Sequence, residues 1–356
     1  MPDFTSSLYL GMKHSSTELA GWSQLTTGVP AALYETAQCK YVGNYLAGMQ
    51  SCEKGIVAPS TLHLYLDLFD FLSKQKIVAF VDDKIYPVSR YGIEKLIVKG
   101  IPVYTFKHLD AGNLYELITT KVKGFATPVV FTDGFCTQCG KPAPLKEYCS
   151  IVAPFKGRII IDDTQAFGIL GKGKDAFIYG YGGGGILQWL NIANANIITV
   201  VSLAKAFGVP MAVISGSAKF ISALERNSKI RESSSPVSFA DLSAVNNVII
   251  LNNTCGDYRR RKLLRNILLI KNELMRYGIQ LIGGLFPIQS IAGLDYYETI
   301  HLFNRLDNNQ FKTVLTKNHK DQKPAISFVI NCNHSSKEIQ ALADTIKHLL
   351  AHATLA

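Results

Sequence analysis

The middle of the chain alternates between two textures, and this alternation limits the fold more than any other feature. Five short runs are apolar and rich in β-branched residues: IVAF (77–80), PVYTF (102–106), TPVVF (127–131), RIIID (158–162) and NIITVVS (196–202). None shows the polar alternation of a half-exposed strand, so each reads as a strand buried on both faces. Amphipathic stretches such as YGIEKLIVKG and APLKEYCSIVAPFKG lie between them. Buried strands separated by helices predict an α/β fold, a mainly parallel sheet covered by helices. From about residue 246 the texture changes. A long helical stretch runs to Tyr277, followed by the short apolar runs IQLIGG, FPIQSIAG and AISFVIN. A last helix, SSKEIQALADTIKHLLAHA, has Ser335 and Glu338 spaced as a capping box. We expect an N-terminal segment over 1–45, a large domain over 46–245 and a small α+β domain over 246–356.

The chain has 356 residues, 47% hydrophobic and 18% charged, which suits a folded protein with two buried cores. Its net charge of +10 is compatible with nucleic acid, anionic lipid or a phosphorylated small molecule as partner. No nucleic-acid motif accompanies the charge, and no apolar run is long enough to span a bilayer. The densest basic run is Arg259, Arg260, Arg261 and Lys262, with Arg265, on a helix whose apolar stripe includes Leu263, Ile267 and Ile270. It reads as a solvated face, with contacts to the phosphates of a substrate such as coenzyme A as the sharper alternative. Seven cysteines without a disulfide rhythm, behind an N-terminus unlike a signal peptide, predict reduced thiols and a cytoplasmic protein.

Two strand ends carry chemistry. RIIID finishes at Asp162, and ligand groups gather at the carboxyl ends of strands in open α/β sheets. NIITVVS finishes at Ser202, and Lys205 follows within SLAKAFG. Partial burial lowers an amine's pKa and makes it a nucleophile toward an aldehyde. Such a pair has a joint use with pyridoxal phosphate: the lysine forms an imine with the aldehyde, and the aspartate keeps the pyridinium nitrogen protonated. The plain alternative is a buried Asp–Lys ion pair.

The segments DGFCTQCGKPAPL, DDTQAFG and SLAKAFG occur in the order found in the α-oxoamine synthases. These are fold-type I pyridoxal phosphate enzymes of the class I/II aminotransferase superfamily, and they include 8-amino-7-oxononanoate synthase and 2-amino-3-ketobutyrate CoA ligase. The chain resembles them most strongly over residues 127–210, and more weakly at SSLYLGMKHSS and ISFVINCNHSSKEI. The resemblance implies a mainly parallel seven-stranded sheet with a smaller C-terminal α+β domain. It makes Lys205 the Schiff-base lysine and Asp162 the pyridinium partner. Ser202 becomes a phosphate-contacting hydroxyl, and Thr137 lies near the cofactor's phenolic oxygen. GIVAPSTLHLYLDLF reads as strand, turn and helix, with Ser60, Thr61 and Leu62 at a helix start whose free N–H groups favour a phosphate. A plain N-cap is the bland reading of Ser60.

The resemblance also marks departures. The family's ring-stacking histidine aligns with Tyr86, which can stack but supplies no imidazole. Its second histidine aligns with Gln165, which can hydrogen-bond the phenolic oxygen but carries no charge. The arginine expected to hold the substrate carboxylate aligns with Ser327. A further phosphate-contacting hydroxyl reads Ala240, with Ser238 nearby as a substitute. The cofactor residues are thus kept while the substrate-side residues change, which implies a different substrate from the biotin-pathway enzyme or altered chemistry.

The activity implied is acyl transfer from an acyl thioester such as acyl-CoA to an amino acid, by a homodimer. The alternatives are an aminotransferase or lyase on the same fold, or a cofactor-binding homologue with weak activity. Four successive glycines, Gly182 to Gly185, read as a mobile loop, since no P-loop lysine follows. Cys136 and Cys139 form a CxxC without the second pair that a zinc site needs. His63, on the helix after the phosphate turn, reads as packing.

Overall fold

The computed structural model of the chain describes residues 1–317 and 323–353. These divide into two compact units: Lys13–Phe135 with Pro142–Thr254, and Met1–Met12 with Cys136–Lys141 and Cys255–Ala356.

The centre of the larger unit is a seven-stranded sheet. Its strands are β1 (Lys54–Ala58), β2 (Ile77–Asp82), β3 (Val103–Phe106), β4 (Thr127–Asp133), β5 (Arg158–Asp162), β6 (Ile197–Ser202) and β7 (Ala212–Gly216). They are ordered β1–β7–β6–β5–β4–β2–β3. Strands β2 to β6 run parallel, and β7 runs against both its neighbours. All five expected strands form, and every residue of β2 is buried, but β3 lies at the sheet edge, mostly half-buried with Thr105 exposed, so burial on both faces does not hold for it. β7 goes beyond the expected set. Its AVISG run turns straight back from the Lys205 loop, so its sequence lacks the intervening helix that marks the others.

Helices α1 (Ala37–Met49), α2 (Thr61–Ser73), α3 (Pro87–Val98), α4 (Ala111–Lys121) and α5 (Leu145–Val152) alternate with the early strands. Leu64, Leu68 and Leu72 recur every four residues on α2 and are buried with Val129, Phe131, Ile160 and Val200 of the sheet. Each such side chain contributes about 1.5–3 kcal/mol when fully buried. Phe69 stacks on Phe131 with centroids 5.2 Å apart. This seam fixes α2 across the sheet. Because α2 starts three residues after β1 ends, its N-terminus lies at the carboxyl edge of the parallel strands.

The larger unit also holds α6 (Phe239–Leu251). The smaller unit has an antiparallel sheet of β8 (Leu281–Ile282), β9 (Ile288–Ile291), β10 (Val314–Lys317) and β11 (Pro324–Val329), ordered β8–β9–β11–β10. Helices α7 (Asp257–Met275), α8 (Tyr296–Asn308) and α9 (Ser336–Ala353) complete it as an α+β arrangement. The expected capping box opens α9: Ser335 N–H donates to Glu338 Oε2 at 2.7 Å, and Glu338 N–H to Ser335 Oγ at 3.2 Å. The basic run on α7 is not a uniformly solvated face. Arg260 is fully buried and pairs with Asp257 at 2.7 Å, while Arg259 donates to the carbonyls of Leu10 and Gly11 at 3.0 and 3.2 Å. Among the described residues, no helix is long and apolar enough to cross a membrane.

Candidate active site

Three aspartates end neighbouring parallel strands: Asp82 on β2, Asp133 on β4 and Asp162 on β5. From β2 the chain steps outward to β3, and from β4 it steps the other way through β5 to β6. The carboxyl edge at such a reversal is where open α/β sheets bind ligands.

The three carboxylates are used differently. Asp82 is buried and accepts from His108 Nδ1 at 2.7 Å and from the N–H groups of Lys84 and Leu109 at 2.9 and 3.2 Å. It is a framework group that ties the ends of β2 and β3 together. Asp162 accepts from the Tyr65 hydroxyl at 3.0 Å and from Thr164 N–H at 3.0 Å. Asp133 accepts from Tyr86 N–H at 3.3 Å. Burial, reinforced by the charge of Asp162, pushes the Asp133 carboxyl well above the usual carboxylate range.

Lys205 sits in the turn after β6. Burial lowers its amine pKa from the ordinary lysine value, against the opposing pull of Asp162 and Asp133. Its Nζ lies 5.7 Å from the centroid of the Tyr86 ring. Tyr86 itself is the residue before Pro87, the first residue of α3, so the proline fixes where the ring enters the site. Ser202 closes β6, where its N–H donates to Thr164 Oγ1 at 3.0 Å and its hydroxyl accepts from Ala204 N–H at 3.3 Å. Gln165 is half-buried in the turn after Asp162. Thr164 thus links the β5 and β6 turns that carry Asp162 and Lys205.

At the start of α2, Ser60 occupies the N-cap position but makes no side-chain cap bond. Its hydroxyl pairs with His63 Nδ1 at 2.8 Å instead, which gives His63 a polar partner where packing alone was expected. The first N–H groups of α2, from Thr61 and Leu62 onward, therefore lack the side-chain cap that would compete with an anion. Ser238, the candidate substitute at the Ala240 position, is a true N-cap: it accepts from Asp241 N–H at 3.1 Å and donates to Asp241 Oδ2 at 2.6 Å.

Thr137 and Ser327 belong to the smaller unit. Ser327 is buried on β11, and its hydroxyl is shared with Ser290 and Thr316 at 2.7 Å each. The expectation of a mobile Gly182–Gly185 loop is corrected. Gly168 N–H donates to Gly183 O and Gly185 N–H to Leu170 O, both at 2.7 Å, and Ile186 N–H donates to Asp163 Oδ2 at 2.9 Å. A Cβ on Gly185 would collide with Asp163 and one on Gly184 with the Met49 carbonyl oxygen and Gln188, while Gly182 has open space around it and a positive φ of 80°. Cys136 and Cys139 form no disulfide, and Cys139 N–H donates to Cys136 Sγ at 3.2 Å.

Two residues of this edge escaped the sequence. Asp133 obeys the same strand-end rule as Asp162, but β4 runs two residues past the apolar TPVVF stretch. Tyr65 carries no local signal, since only the docking of α2 aims its hydroxyl at Asp162.

A mainly parallel sheet with a lysine and aspartates at its carboxyl edge defines a broad class of enzymes. Within it, the sequence pattern of aminotransferases of class I and II matches residues 31–346, and the chain belongs to that family. It is similar to the 8-amino-7-oxononanoate synthase of Alkaliphilus oremlandii, 21% identical over 244 residues, covering 68% of this chain and 59% of the relative. Alignments to three curated relatives span only 60%, 59% and 46% of their own lengths. Solved structures extend the likeness. Serine palmitoyltransferase from Sphingomonas wittichii is 14% identical with a TM-score of 0.85, covering 99% of this chain and 88% of that one. The 8-amino-7-oxononanoate synthase of Francisella tularensis is 19% identical with a TM-score of 0.78, covering 99% of both chains. The fold is therefore that of fold-type I pyridoxal phosphate enzymes.

Proposed function

We propose that the chain is a pyridoxal 5'-phosphate-dependent transferase that condenses an amino acid with an acyl thioester, such as acyl-CoA, to give an α-oxoamine. The observation that carries this reading is the half-buried Lys205 in the turn after β6, its amine pKa lowered by burial against the opposing charges of Asp162 and Asp133.

The side chains suit the cofactor chemically. An amine whose pKa is lowered by burial gives up its proton more readily, and the free amine takes an aldehyde carbon. A carboxylate holding two hydrogen bonds suits a protonated ring nitrogen. A helix start without a side-chain cap suits a phosphate. Lys205 would hold the cofactor through Nζ, and Asp162 would face the ring nitrogen. Ser60, Thr61 and Leu62 would bind the phosphate, with Ser202 adding a hydroxyl. Tyr86 would cover one ring face, and Gln165 would hydrogen-bond the phenolic oxygen.

When bound, pyridoxal phosphate supplies an electron sink for charge at the amino acid's α-carbon. Lys205 Nζ, once free, is the base that takes and returns a proton at that carbon. Asp162 keeps the ring nitrogen protonated throughout. Tyr86 would shield the reacting face from water. The absence of a guanidinium at Ser327 points to an amino acid whose carboxylate is held by other groups. The protein works as a cytoplasmic homodimer on this reading. None of the seven cysteines forms a disulfide, and Leu33, Tyr34 and Tyr41 expose large apolar side chains.

The test is direct. Borohydride reduction of the cofactor-loaded protein should place the pyridoxyl label on Lys205, and label on any other lysine would refute the assignment. Incubation with a panel of amino acids and acyl-CoAs should release free coenzyme A and an α-oxoamine. A 2-oxo acid formed without coenzyme A release would identify an aminotransferase instead.

A further inference from the structure

We propose that Tyr65 is a positioning residue whose hydroxyl fixes the negative charge of the strand-end carboxylate pair on Asp162 and leaves the pair's proton on Asp133. The inference rests on the proposed role of Asp162 toward the cofactor.

Asp133 and Asp162 are register partners across β4 and β5, and neighbouring strands lie about 4.8 Å apart. Half-buried carboxyl groups on partner residues of adjacent strands do not both ionise easily. Lys205 is the cation whose charge acts with both. Nothing in the strand geometry distinguishes the two acids. Their hydrogen bonds do. Asp162 accepts from the Tyr65 hydroxyl and the Thr164 N–H, both at 3.0 Å. Asp133 accepts from the Tyr86 N–H at 3.3 Å. Donors stabilise the charged form of an acid. Further charges reach Asp133 from β2 and its loop: Asp82 disfavours its ionisation, and His108 offsets that in part.

The donor on Asp162 is built in. Tyr65 is 2% exposed, and its ring lies 6.0 Å from Phe69 on the same face of α2. Burial and the facing Asp162 charge hold the phenol well above its ordinary pKa, so it remains a donor at any pH at which the protein functions. The pair therefore has a defined polarity. Asp162, with two donors, would face the ring nitrogen, and Asp133, whose neutral form burial and the neighbouring carboxylate favour, sits beside it.

The experiment titrates pyridoxal phosphate into apo protein and reads affinity by absorbance, independently of turnover. Tyr65→Phe keeps the packed ring and removes the hydroxyl. It should weaken affinity about tenfold, the scale of one hydrogen bond to a charged group. Adding Asp133→Asn removes the competing acid, so the Tyr65→Phe/Asp133→Asn double variant should recover to within about threefold of wild type. A Tyr65→Phe protein that binds as wild type does would overturn the proposal. So would a double variant as weak as Tyr65→Phe alone, because a purely structural role for Tyr65 is not rescued at Asp133. A wild-type protein that binds no pyridoxal phosphate would instead sink the functional reading, and this inference with it.

Discussion

Asp163 Oδ2 accepts the Ile186 N–H at 2.9 Å, joining the turn after β5 to the first residue of the one-turn helix Ile186–Trp189 that follows the glycine loop. Asp163 is 1% exposed, and burial pushes its carboxyl well above the ordinary range. The unfolded chain gives up this proton first as pH rises. Stability from this group is therefore full below the unfolded pKa of about 3.9 and is lost as pH climbs toward the raised folded value. Asp163→Asn keeps an acceptor oxygen and stops the titration. Its urea-unfolding free energy should fall less than that of wild type between about pH 5 and about pH 8. Equal slopes would contradict this account. Asp163→Ala leaves the Ile186 N–H unpaired and should cost about 1–3 kcal/mol near pH 5 and less as pH rises.

The glycine loop can be tested separately. A Cβ on Gly184 would collide with the Met49 carbonyl oxygen and the Gln188 side chain, whereas one on Gly48 meets nothing within 4 Å. Gly184→Ala should lower stability by about 1–3 kcal/mol, as overpacking does. Gly48→Ala, inside α1, should raise it by about 0.5–1 kcal/mol through helix propensity. Thermal unfolding of the two variants should shift in opposite directions. A loop that tolerates Gly184→Ala would not be packed as described.

Ser60 and Ser238 hold the same position at the starts of α2 and α6 but do different work. Ser238 caps its helix, so Ser238→Ala should cost about 1 kcal/mol of stability. Ser60 makes no cap bond, so Ser60→Ala should leave chemical denaturation within about 0.5 kcal/mol of wild type. Its effect should appear as a severalfold weaker affinity for pyridoxal phosphate. A large stability loss in Ser60→Ala would show that its hydroxyl serves the helix and not an anion.

The sheet was legible because burial on both faces leaves unbroken apolar runs, and β2, β4, β5 and β6 carry that mark in their own residues. Lys205 and Asp162 were legible for a related reason, since each follows directly from the end of such a run. What escaped depends on neighbours distant in sequence. Tyr65 reaches Asp162 only because Phe69 and Leu68 seat α2 on the sheet. Arg260 looks like surface charge until its helix is packed. Gly184 and Gly185 look like slack chain until Met49 and Asp163 close on them. Local pattern records which face is buried, not which atom across the fold is met.

Tyr86 offers the sharpest contrast with the family pattern, which has a histidine at this position. Its ring lies 5.7 Å from Lys205 Nζ and is 49% exposed, so it is placed at the mouth of the site and not within the core. If the ring covers the cofactor, its face matters and its hydroxyl does not. Tyr86→Phe should then bind pyridoxal phosphate within about twofold of wild type, and Tyr86→Ala about three- to tenfold more weakly, the range of an aromatic stacking contact. Tyr86→His restores a ring and adds a group that titrates near pH 6.5. A neutral imidazole can accept a proton and an imidazolium cannot, so kcat/KM of Tyr86→His should gain a rise with pH in that region that wild type lacks. Unchanged affinity in Tyr86→Ala would remove the ring from the site, and an unchanged pH profile in Tyr86→His would show that position 86 lies outside proton-transfer reach.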